Sequence, residues 1–210
     1  MSWISADMEL KKNYSFYSED FDKLTAIASI MKKRDRYTET HGQRVSEYSK
    51  RLARRIGLSG SKVDQIAMGG MLHDIGKVFM SDRIFSNKSK RLSKEMMAEV
   101  RRHPLNGVML VRHIDFLKPV LKYILFHHER LDGSGYPFGL TAESLPLGAQ
   151  IISVADCFDA ITTDRPYQKS KKPEEAFGCL KSSSGGILSR QLVYALIADV
   201  KENGMVLTDN

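Results

Sequence analysis

Apolar positions recur along this chain at three- and four-residue intervals almost from end to end, the spacing of helices that bury one face. The pattern predicts a polar helix over about residues 20 to 33 and a second from about Thr38 to Ile56, closed by Gly57 and Ser59-Gly60. On that second helix His41, Val45, Tyr48 and Leu52 share a face, so His41 is expected to point inward. A third helix from about Lys62 carries Val63, Ile66, Ala67 and Met71 toward His73-Asp74, and Gly69-Gly70 would let another backbone approach closely. Ser93 is placed to cap a helix ending near His103, Pro104 to start the next, and Pro119 to open one that closes on His127-His128. The stretch from Asp132 to Gly139 is too rich in glycine to be helical and reads as a shaped loop of turns. A buried helix follows from about Leu147 to Thr162, with Ile152, Asp156 and Asp159 along one side. Pro173 opens another, and the last runs from about Ser189 to Val200. No strand or internal repeat is visible, so the expected class is all-α.

Composition narrows this picture. With 210 residues, 42% of them hydrophobic, the chain can bury one core and is short for two. The expected organisation is an N-terminal arm or linker helix over residues 1–30, bearing Trp3, Tyr14, Phe16 and Tyr17, and one domain over 31–210. No apolar run has the length of a membrane span and the start lacks the pattern of a signal peptide, which points to a cytoplasmic protein without a membrane partner. Cys157 and Cys179 match no paired motif and read as small apolar core residues rather than a disulfide. The net charge of +7 collects in runs such as Arg51 to Arg55, Lys88 to Arg91 and Lys169 to Lys172, which read as solvated faces. A polyanionic substrate is compatible with that charge. A nucleic-acid polymer is less so, because no recognition motif or aromatic-interleaved basic stripe is present.

Chemistry enters with the run Met71-Leu72-His73-Asp74-Ile75-Gly76-Lys77. An adjacent His and Asp in an apolar stretch can supply a ligand and a bridge for a pair of metal ions. His41, His103, His127, His128 and Asp156 recur where they could converge on the same point. A lone inward histidine is more often a satisfied core residue, but His73-Asp74 together with His127-His128 is a poor choice for an apolar core without metal. His41, His73, Asp74 and Asp156 would hold one ion; with Asp74 bridging, His103, His127 and His128 would hold a second. Imidazole-rich sets lean toward iron or manganese, with nickel, zinc or magnesium as alternatives. Two such ions can activate a shared water, an architecture suited to phosphodiester hydrolysis. His113 has no partner in this scheme and reads as a surface or packing residue.

Taken in register, Arg34-Asp35-Arg36-Tyr37-Thr38-Glu39-Thr40-His41, His73-Asp74-Ile75-Gly76-Lys77, His103-Pro104, His127-His128-Glu129-Arg130-Leu131-Asp132-Gly133-Ser134-Gly135-Tyr136-Pro137, Asp156 and Asp164-Arg165-Pro166-Tyr167 resemble an HD-GYP domain. The His-Asp pair alone is shared by many hydrolases, whereas the HHExxDGxGYP string in register with the rest is specific. The resemblance implies an HD-domain helical bundle with a GYP loop, a binuclear or trinuclear metal centre, and hydrolysis of cyclic di-GMP or 3′,3′-cyclic GMP-AMP to a linear dinucleotide and onward to mononucleotides. Carried over by position, it makes His41, His73, Asp74, His103, His127, His128 and Asp156 the metal ligands. Lys77 would then meet the scissile phosphate, and Asp35, Tyr136 and Arg165 would contact the dinucleotide.

Three departures qualify the resemblance. Tyr37 stands where trinuclear members carry a glutamate, which favours two metals. Gln168 stands where the family usually shows Arg or Lys; glutamine can pair with adenine N6 and N7, so specificity shifts toward a mixed guanine-adenine substrate or weaker cyclic di-GMP binding. Leu188-Ser189-Arg190 replaces the usual Phe-Asp-Pro and reads as a different helix start. The alternative reading is a catalytically weak domain that binds nucleotide or docks a GGDEF-domain protein through the Tyr136 loop. GGDEF docking and a homodimer are both compatible with catalysis.

Overall fold

The computed structural model describes residues 18–34, 36–87, 91–164 and 169–206. Asp35, Arg165 and Gln168, together with the N-terminal aromatics Trp3, Tyr14, Phe16 and Tyr17, lie outside the described residues, as does the side chain of Tyr37. The described residues form helices α1 (Ser18–Arg34), α2 (Arg36–Arg55), α3 (Ser61–Leu72), α4 (Asp82–Phe85), α5 (Lys94–Val100), α6 (His103–Val111), α7 (Leu121–Phe126), α8 (Leu147–Thr162), α9 (Pro173–Ser183) and α10 (Arg190–Asn203). Short 3-10 turns at Ile75–Phe79 and Asp115–Leu117 lie between them, and the only β pairing among these residues is two isolated bridges. The all-α expectation holds. Helix α1 runs across residue 30 and packs on α2 and on the 3-10 turn at Ile75–Phe79.

Helix α8 is the centre of the bundle. Its Ala149, Ile151, Ile152, Val154, Ala155 and Phe158 are all buried, the all-round apolar character of a helix enclosed by its neighbours. Around it pack α2, α3, α7, α9 and α10. The stripe Val45, Tyr48 and Leu52 turns one face of α2 into this core; fully burying a side chain such as Leu52 stabilises by about 1.5–3 kcal/mol. Gly70 faces the Ser46 backbone of α2, and Gly69 faces the Tyr123 and Ile152 side chains, so the expected close approach occurs between α2 and α3. A tighter approach occurs at Gly76. A Cβ there would lie 2.0 Å from the His103 carbonyl oxygen and 2.4 Å from the Gly107 nitrogen, so only glycine lets the turn after His73-Asp74 press against α6.

Local signals in the sequence act where expected. The Ser93 side chain caps α5 by accepting from the Met96 N–H, and Ser189 caps α10 by accepting from Leu192 N–H, so Leu188-Ser189-Arg190 is indeed a helix start. Two expectations need correction. The Arg51–Arg55 run is not simply solvated: Arg51 pairs with Asp199 at 2.6 Å and Arg55 with Glu202 at 2.6 Å, fastening α2 to α10. Cys157 and Cys179 are only half-buried, because each sits at the margin of its helix's packed face rather than at its centre. No helix of the described residues is long and apolar enough to cross a membrane.

Candidate metal centre

Each histidine of the centre occupies a place in the fold that aims its ring inward. His41 lies on the buried face of α2, while His73 and Asp74 end α3 and begin the following 3-10 turn. His103 opens α6, His127 caps α7 with His128 beside it, and Asp156 lies on α8. His41, His73, Asp74, His103 and His127 are buried; His128 and Asp156 are partly open. Helix ends leave carbonyls without intrahelical partners, and three of the rings use them. The Nδ1 of His73 donates to Gly70 O at 2.7 Å, that of His103 to Val100 O at 2.7 Å, and that of His127 to Ile124 O at 2.8 Å. A carbonyl can only accept, so each Nδ1 carries a proton and each Nε2 is the atom turned to the interior.

Two groups of donors result. His41, His73 and Asp156 form one, and Asp74, His103, His127 and His128 the other; within each, one ligand atom per residue lies within 4.8 Å of all the rest. Asp74 reaches both. Its Oδ1 is 3.2 Å from His103 Nε2, while its Oδ2 is 3.4 Å from His73 Nε2 and 3.7 Å from His41 Nε2. In the second group His103 Nε2 and His127 Nε2 face each other at 3.1 Å with both Nδ1 positions already protonated. Two imidazole nitrogens facing each other at that separation, with an Asp74 oxygen beside them, form a donor set that a divalent metal fits.

The electrostatics differ between the groups. Burial opposes a charge on His41, but hydrogen bonds to Asp156 and Asp159 outweigh it and raise its pKa to about 9. Burial, followed by repulsion from His128, His73 and His103, holds His127 well below the ordinary imidazole value. His128 is lowered to about 3 by burial and then by His103. Asp74 and Asp156 stay ionised despite burial, Asp74 chiefly through Lys77 and His73, Asp156 through its hydrogen bond to His41.

Beyond the ligand set, the structure brings in residues that the sequence reading left without a role. Asp159 is buried and accepts from His41 Nδ1 at 2.7 Å, and Arg44 grips the same carboxylate, Nε to Oδ1 at 2.6 Å and Nη2 to Oδ2 at 3.0 Å. The available signal was spacing: Asp156 and Asp159, like His41 and Arg44, are three apart on their helices and so share a face. Glu129, also fully buried, accepts from Phe138 N–H at 2.7 Å and Leu140 N–H at 3.0 Å and so ties the glycine-rich loop to the histidine pair. A Cβ at Gly135 would meet the Arg130 nitrogen at 2.5 Å, so the loop can fold this tightly only with glycine there. Tyr136 is thereby laid against His128, ring centroids 4.8 Å apart. Lys77 donates to Asp74 Oδ2. His113 is exposed, as expected, but it does have a partner: Arg112 Nε donates to its Nε2 at 3.1 Å.

Comparison with known proteins agrees with this architecture. A family model for the HD domain matches residues 25–188. The chain belongs to the HD domain family. A cyclic di-GMP phosphodiesterase of Thermotoga maritima is 37% identical over 186 residues, covering 87% of this chain and 50% of that protein. The 3′3′-cGAMP-specific phosphodiesterase 2 of Vibrio cholerae is 36% identical over 173 residues, covering 81% of this chain and 33% of that protein. This HD domain chain therefore spans half or less of the length of these relatives. Among solved structures, an HDG"Y"P protein from Bdellovibrio bacteriovorus superposes with a TM-score of 0.66 at 26% identity, over 80% of this chain and 53% of that one. With the HHExxDGxGYP string in place, the chain is an HD-GYP domain. Family membership and the buried His/Asp groups together point to a divalent-metal centre.

Proposed function

We propose that this HD-GYP domain is a phosphodiesterase that hydrolyses a cyclic dinucleotide, cyclic di-GMP or 3′,3′-cyclic GMP-AMP, to its linear form. The observation that carries this reading is Asp74, whose two carboxylate oxygens face two separate histidine-rich groups. His41, His73 and Asp156 would hold one ion and His103, His127 and His128 the other, with Asp74 between them. Iron or manganese suits such imidazole-rich sets. When bound, two such ions supply positive charge at the phosphoryl oxygens and lower the pKa of the attacking water.

The protein's own groups do the rest. Water adds to phosphorus as the bond to a ribose oxygen breaks, and that oxygen takes a proton. Lys77, partly exposed beside Asp74, carries its ammonium where charge develops on the phosphate and the departing oxygen. Tyr136 offers a ring and a phenol at the mouth; burial, and then the charges of Asp74 and Asp156, push that phenol above its usual range, so it stays a neutral donor. Asp35 and Gln168 are proposed to contact the bases, and Arg165 a base or a phosphate. The catalytic unit is taken as residues 31–210, preceded by the arm. The domain is placed in the cytoplasm, where GGDEF-domain proteins are candidate partners of the loop.

Product analysis decides the matter. Protein purified without oxygen and loaded with Fe(II) or Mn(II) should convert at least one of the two dinucleotides to a linear product, with close to two metal ions per chain. Retention of either nucleotide without turnover under every metal would replace the enzyme reading with that of a binding module.

A further inference from the structure

We propose that Arg101 binds the second, non-reacting phosphate of the cyclic dinucleotide, an inference that rests on the proposed phosphodiesterase reading. A cyclic dinucleotide carries two phosphodiesters in one ring. When one is engaged at the metal centre, the macrocycle holds the other at a fixed offset, and its charge needs a partner on the protein.

The cations around the centre are not equivalent. Arg44 is committed to Asp159, and Lys77 to Asp74. Arg130 reaches Ser134 in its own loop, at 3.4 Å. Arg101 is different: it is exposed at the end of α5, two residues before His103, and makes no ion pair among the described residues. Its guanidinium carbon lies over the Tyr136 ring, 5.5 Å from the centroid, while the same ring lies against His128. Arg101 is therefore one aromatic ring out from a proposed metal ligand, on the open side of the centre.

A guanidinium held over a ring face keeps N–H groups free to fork onto a phosphate. The contact is also preorganised, since Glu129 pins the loop that carries Tyr136 and the α5–α6 turn carries Arg101. A lysine would supply charge without the planar fork, so it should replace Arg101 only in part.

The test compares two substrates on metal-loaded protein: the cyclic dinucleotide, and bis(4-nitrophenyl) phosphate, a diester with a single phosphate. Arg101→Ala should raise KM for the cyclic dinucleotide roughly tenfold or more, the size of one lost charge-assisted contact, with kcat moved less than about twofold. Arg101→Lys should recover part of the loss. Kinetics on the single diester should move less than about twofold, and metal content and melting temperature should match the parent. An unchanged KM for the cyclic dinucleotide would overturn the inference. So would an equal loss on both substrates, which would mean that Arg101 acts by holding Tyr136 against His128. If the unmodified protein cleaves the single diester but neither cyclic dinucleotide, the proposed function falls, and this inference with it.

Discussion

The two donor groups that share Asp74 look alike in composition and differ in charge. The His41, His73 and Asp156 group surrounds a cation of its own: His41 is protonated up to about pH 9, between Asp156 on one ring nitrogen and Asp159 on the other. In the other group His127 and His128 are both held neutral, His127 by burial and then by repulsion from His128, and His128 by burial and then by repulsion from His103. A metal entering the first group must displace the His41 proton; one entering the second meets His127 and His128 without a proton to displace from either. His103 and His127 are oriented by backbone carbonyls, as is His73 of the first group, whereas His41 is oriented by a carboxylate that is itself clamped by Arg44.

Removing what the groups share should have the largest effect. Asp74→Ala should cost hydrolysis on the order of a thousandfold or more and lower the metal content of both groups, whereas His113→Ala should leave rate and metal content unchanged. Equal losses in the two variants would mean that the cluster has been misassigned.

Next in size is the pH response, which has opposite signs with and without metal. A folded-state pKa of about 9 against an ordinary 6.5 means that the His41 proton stabilises the metal-free fold. That contribution, roughly 3 kcal/mol, is complete below about pH 6.5 and is lost as pH rises through about 9. Metal binding to the same group should strengthen about tenfold per pH unit up to about pH 9, because less proton must be displaced. Calorimetric metal titration in buffers of different ionisation enthalpy should show close to one proton released on filling the first group. A pH-independent affinity there would remove the distinction between the groups.

Asp159→Asn should weaken metal binding by about 10- to 100-fold, confined to the first group, since a carboxylate behind a ligand histidine raises its basicity and fixes its ring. Metal titration should then show one site weakened and the other unaltered. A uniform loss would make Asp159 a general structural residue.

The smallest effect should come from outside both groups. If Gln168 reads a base, Gln168→Lys should move the turnover ratio toward cyclic di-GMP by roughly tenfold, one changed base contact, with metal content unchanged. A ratio equal to the parent's would remove the sequence basis for a mixed guanine-adenine preference.

Much of the site was legible because its signals are local. His73-Asp74 and His127-His128 are adjacent in sequence, and three- and four-residue spacing places His41 on the inner face of its helix. Helix ends could be read from Ser93, Pro173 and Ser189, whose chemistry acts on their own backbone. Asp159 was visible only as one more residue on the inner side of α8, since nothing near it in sequence says that its partners lie on α2. The Arg51–Arg55 run misled for the same reason: its pairing with α10 is a property of the packed bundle.

The sequence by itself determined most of the helices, the inward register of His41 and the types of donor, because periodicity and capping are written within a few residues of where they act. Only the tertiary structure decided that Asp74 turns one oxygen to each group, that Asp159 and Arg44 stand behind His41, and that Arg101 and Tyr136 meet at the mouth. Those pairings depend on which helix faces meet and how closely, and that is set by the packing of the whole core around α8 and by approaches as tight as Gly76 against α6.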